Sequence, residues 1–104
     1  MTRLEQLQKF LDQDPNDSFT RYLVALEYAS AKNYNEASSR LESLKIDDPN
    51  YVPTYYQLAD FYRNLNDQKK AVQTYNEGIT IARKAGDMHA ASELELALSE
   101  VEEA

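Results

Sequence analysis

At 104 residues the chain has the size of one domain and can bury about 60–70% of its unfolded surface in a single core. Two glycines and three prolines against 42% apolar residues make a helix-forming composition, and the lack of cysteine excludes disulfides, thiolate chemistry and cysteine-type zinc sites. The net charge of −7 is uneven: residues 1–86 carry 11 basic and 12 acidic groups, residues 87–104 six acids and no Lys or Arg, so the clustered cations that nucleic acid or anionic lipid requires are missing.

No apolar run reaches the length of a signal peptide or of a membrane span, which points to a cytoplasmic protein. Apolar residues at helical spacing predict a first helix at about residues 2–13, with Leu4, Leu7, Phe10 and Leu11 as its stripe and Pro15 as its stop. A second helix follows, with Asn16, Asp17 or Ser18 as N-cap, and runs to about Ala31 with Val24, Ala25 and Tyr28 on one face. Lys32 to Asn35 reads as a turn, and a third helix over about 35–46 carries Ala37, Leu41 and Leu44.

The same pattern then starts again. A fourth helix at about 51–64 presents Tyr55, Leu58, Ala59 and Tyr62. After a turn at Asn66-Asp67, a fifth from about Gln68 presents Ala71, Tyr75, Gly78, Ile79 and Ala82, and ends near Gly86, a residue suited to a left-handed C-cap. Asp87 can cap a sixth helix at about 88–102, with Ala91, Leu94, Leu98 and Val101 inward. The predicted class is all-α.

The triplet Asp-Pro-Asn occurs at 14–16 and again at 48–50, a separation of 34 residues. Sliding the chain by that interval lays Pro15 on Pro49, Ala25 on Ala59, Tyr28 on Tyr62, Ala37 on Ala71, Val24 on Leu58 and Leu41 on Tyr75. The series Tyr55-x-x-Leu58-Ala59-x-x-Tyr62 followed by Ala71 and Tyr75, with its 34-residue period, resembles the tetratricopeptide repeat. The resemblance covers about residues 18–85. It departs from the pattern at Arg21, in place of an aromatic, at Leu44, in place of a small residue, and at Arg83, in place of a closing proline.

The resemblance implies a right-handed superhelical stack of antiparallel helix pairs forming one domain over 1–104. Residues 1–14 would be an N-terminal capping helix, 18–51 and 52–85 the two repeats, and 87–104 a C-terminal capping helix. The closing segment also looks like the ending of small stand-alone bacterial members. Small residues at 25, 37, 59 and 71 are needed where paired helices approach, and Tyr28 and Tyr62 belong to the packing between helices.

The family binds a peptide or helix on a concave face formed by the first helix of each pair, and this implies a site residue by residue. The second helix would contribute Phe19, Tyr22 and Leu26, with Ala29 beside them; the fourth would contribute Tyr56, Asp60, Arg63 and Asn64, with Pro53 before them. An aromatic pair near an Asp and an Arg suits an apolar anchor with one oriented polar group. Some family members grip a C-terminal carboxylate with Lys, Arg and Asn, but the matching places here hold Tyr22, Leu26, Tyr56 and Asp60, against such a clamp.

Asp12-Gln13-Asp14-Pro15-Asn16 imitates the start of a calcium loop, yet a working loop would need Gly at 17 and Glu at 23, where the chain has Asp17 and Leu23. Helix punctuation explains these residues better. One histidine, His89, no cysteine and no glycine-rich phosphate loop leave no catalytic or metal constellation. The reading is a non-enzymatic interaction module, without cofactor, that binds another protein; the alternative is a self-associating module forming a homodimer.

Overall fold

In the computed structural model, which describes residues 1–103, six α-helices follow one another: α1 Arg3–Gln13, α2 Ser18–Ser30, α3 Tyr34–Asp47, α4 Pro53–Asn64, α5 Gln68–Lys84 and α6 Met88–Glu103. There is no strand among the described residues. Two compact units emerge, Met1–Asp48 with α1 to α3 and a second starting at Pro49 with α4 to α6.

The punctuation is chemical. At the first Asp-Pro-Asn, Asp14 ends α1, and the Asp17 side chain caps α2 by accepting from the Thr20 backbone N–H at 2.9 Å and from the Thr20 hydroxyl. At the second, Pro53 sits in the first turn of α4, where its missing N–H costs nothing. This places the start of α4 two residues later than the apolar spacing predicts. Asn33 accepts from the Glu36 N–H and so starts α3 at Tyr34, which puts Tyr34 and Asn35 inside the helix and not in the turn.

Three turns share one closing device. Lys32, Asn66 and Gly86 take positive φ of 63°, 61° and 74°, and the next residue's N–H reaches back to Tyr28, Tyr62 and Ala82 carbonyls respectively. This left-handed cap satisfies carbonyls that the helix end leaves orphaned.

In the first unit, Leu7, Leu11 and Val24 form a buried cluster with Leu4, Leu23 and Tyr28 packed against it. Ala37, Leu41 and Leu44 are wholly buried. Phe10 is the departure: expected on the inward stripe of α1, it is 61% exposed, because Leu7 and Leu11 take the inward direction and the ring lies at the edge of that face. In the second unit, Ala59, Ala71, Tyr75, Ile79, Ala82, Ala91, Leu94, Ala97 and Val101 share one buried cluster.

Glycine 78 is required by packing rather than by its backbone. A Cβ there would lie 2.5 Å from the Tyr55 Cβ and 3.2 Å from the Leu94 Cδ1, so α5 approaches α4 and α6 only because that position has no side chain. Tyr55 is buried and its hydroxyl donates to the Pro49 carbonyl at 2.5 Å. The positions 34 residues earlier hold Arg21 and Leu44: Leu44 is wholly buried, and the Arg21 guanidinium turns to Asp47 at 2.9 Å. The two departures from the repeat pattern in the first unit thus fall at the positions that Tyr55 and Gly78 hold in the second.

Candidate functional site

In the first unit, α2 is anchored at its start by the Asp17 cap and by Ser18, whose hydroxyl donates to Asp48 at 2.5 Å. Burying Val24 and Ala25 turns the opposite stripe outward. Phe19 is exposed there, while Tyr22, Leu26 and Ala29 are half-buried.

In the second unit, Tyr55, Leu58, Ala59 and Phe61 are the apolar residues that α4 buries, and Tyr56, Asp60, Arg63 and Asn64 lie on the remaining surface. Tyr56 is 37% exposed and meets the buried Tyr75 ring edge-on, centroids 6.4 Å apart at 74°. That contact fixes the exposed ring against the core, so its face is presented without an entropic search. Arg63 pairs with Glu100 of α6 at 3.3 Å, Nη1 to Oε2. This pair is solvent-exposed and exchangeable at small cost.

Tyr75 completes the arrangement. Its side chain is wholly buried, yet its hydroxyl has no partner at ordinary hydrogen-bond geometry. Burial raises its pKa above the ordinary phenol value, the Asp60 charge adds to that, and the neighbouring Arg63 guanidinium works in the opposite direction. The hydroxyl therefore stays protonated, a donor beneath Tyr56 and beside Arg63 and Asp60.

The structure thus brings Tyr56, Asp60, Arg63 and Asn64 onto one helix, adding Tyr75 and Glu100. Tyr75 reads in the sequence only as core, and no local spacing connects Glu100 to Arg63, 37 residues earlier. A different opening of about 570 Å³ lies in the first unit, lined by Gln8, Asp12, Arg21, Arg40 and Asp47 among others. Its cations already have partners: Arg21 is held by Asp47, and Arg40 is held by Glu36 and lies over the Tyr28 ring.

His89 is largely exposed and pairs with Glu93 one turn on. Among the described residues, no group of three His, Cys, Asp or Glu is placed to hold a metal ion, and no helix is long and apolar enough to cross a membrane.

Comparison with known proteins agrees with this architecture. A tetratricopeptide repeat domain protein from Salinibacter ruber, solved in solution, is 40% identical over 86% of this chain and 90% of that one, with a TM-score of 0.83. The chain belongs to the tetratricopeptide repeat family. The tetratricopeptide repeat family model matches residues 52–85. The same fold recurs in the TPR2B domain of yeast Sti1 in a complex with pHsp70, at TM-score 0.88 and 17% identity over 96% of this chain and 80% of that one. It recurs in PcrH in complex with the chaperone binding region of PopD, at TM-score 0.84 and 16% identity over 94% and 74%. No curated protein matches the chain in sequence. Tetratricopeptide folds are protein-interaction modules, and these two neighbours are each in a complex with another protein.

Proposed function

We propose that this tetratricopeptide protein is a non-enzymatic adaptor that takes up a peptide segment or helix of another protein on the α4 face formed by Tyr56, Asp60, Arg63 and Asn64. The observation that carries the reading is Tyr56: an exposed ring, locked edge-on against Tyr75, with a cation and an anion of the same helix within reach. An apolar or aromatic anchor of the partner stacks on Tyr56, while Arg63 and Asp60 orient one polar group beside it. The α2 residues Phe19, Tyr22 and Leu26 offer a second apolar stripe for the same class of partner. A cytoplasmic location is part of the same proposal.

A displayed random-peptide library selected on the immobilised chain tests this. Enriched peptides should bind a Tyr56→Ala, Arg63→Ala double variant at least about tenfold more weakly. Enrichment that is indifferent to the double variant, or no enrichment at all, contradicts the assignment.

A further inference from the structure

The outer surfaces of α1 and α6 are not the polar faces that close a helical-repeat stack. Phe10 is exposed on α1 and Met1 just before it, and Leu96, 64% exposed, and Met88 on α6. Met1 together with Gln6, Lys9, Phe10 and Gln13 of α1 lines a surface depression of about 410 Å³.

The 34-residue register identifies what these positions do elsewhere in the chain. Leu96 follows Tyr28 and Tyr62 in that register. Both rings belong to the first helix of a pair and both lie under a cation from the second: Arg40 is 4.8 Å from the Tyr28 centroid and Lys70 is 5.3 Å from that of Tyr62. Phe10 precedes Leu44 and Gly78, and Gly78 is where α5 touches Tyr55 of α4. Gln6 precedes Arg40, the residue that covers Tyr28, and it lines the depression. The exposed residues of α6 therefore occupy first-helix contact positions, and those of α1 occupy second-helix contact positions.

Charge follows the same register. Ala25 and Ala59 lead to Glu93, and Ala37 and Ala71 lead back to Arg3. Where each repeat has two buried alanines, the outer faces have an acid on one and a base on the other. Among the described residues Arg3 pairs with the half-buried Glu27 and Glu93 with the exposed His89, surface pairs that exchange at small cost.

We propose that copies of this chain associate head to tail, the outer face of α6 of one copy packing on the outer face of α1 of the next. The two helices then form an additional repeat between chains, Leu96 entering the depression beside Phe10 and Glu93 meeting Arg3. The contact is heterologous, because each copy uses two different surfaces. It is separate from the α4 face.

Light scattering behind size exclusion, over a concentration series, tests it. The average mass of the wild-type chain should rise above that of one chain with concentration. Phe10→Asp and Leu96→Asp replace exposed side chains, so both variants should keep the wild-type melting curve while association weakens by on the order of a hundredfold. An equimolar mixture of the two variants should form a two-chain complex, since the first retains its α6 face and the second its α1 face. A wild type of constant monomer mass overturns the proposal, as does a mixture that stays monomeric while the wild type associates. Arg3→Glu and Glu93→Arg should each weaken association roughly tenfold, and one chain carrying both should recover it; no recovery overturns the register.

Discussion

At the scale of single residues, the Asp-Pro-Asn triplets act through their neighbours. Asp17 accepts two hydrogen bonds from Thr20, and these hold its carboxyl below the ordinary value of 3.8. A carboxylate whose native pKa is depressed contributes stability that is present above the unfolded-state pKa and is lost as pH falls through the native one. Asp17→Asn keeps an acceptor at the cap but removes the titration, so its melting temperature should fall less steeply below pH 4 than that of the wild type; parallel acid limbs would contradict the assignment. The place of this cap was legible in the sequence to within Asn16, Asp17 or Ser18, because a short polar side chain before an apolar-periodic run has few other uses, and the folded geometry selects Asp17. The direction of Phe10 was not legible, since a helical stripe leaves residues at its edge undecided and tertiary packing assigns them.

At the scale of elements, helix approach is controlled by side-chain size. In the second unit Gly78 leaves room for Tyr55, whereas the corresponding positions of the first hold Leu44, wholly buried, and Arg21, turned to Asp47. In an exposed helix, Gly→Ala would gain up to about 1 kcal/mol. Here the new Cβ meets the Tyr55 Cβ at 2.5 Å, and Gly78→Ala should instead cost about 1–3 kcal/mol by overpacking. The sign of the change in urea midpoint decides between the two effects. The six helices and their order could be read from periodicity, proline and turn residues, because those signals are local. The late start of α4 at Pro53 depends on whether the chain winds before or after a proline that either register tolerates. Burial of Phe61 and the Arg63–Glu100 pair were hidden for a different reason: both are decided by residues distant in sequence.

For the molecule as a whole, one 34-residue period accounts for the α2–α3 and α4–α5 pairs, their turns at Lys32 and Asn66 and the alanines at 25, 37, 59 and 71, while the Gly86 turn and Gly78 fall outside it; the family assignment follows from the same interval. The candidate site is less visible from that period, which marks α4 positions as outward but says nothing of their support. Tyr75 beneath Tyr56 supplies that support, and it makes the α4 face a better-defined anchor than its sequence alone suggests. The central claim is that this face, and not the outer faces of α1 and α6, receives a partner peptide. Amide chemical-shift mapping with a peptide recovered from the library selection tests it most directly. The expected result is that the largest shifts fall at Tyr56, Asp60, Arg63 and Asn64 and vanish in the Tyr56→Ala, Arg63→Ala variant; largest shifts around Phe10 or Leu96, with α4 unmoved, would contradict it.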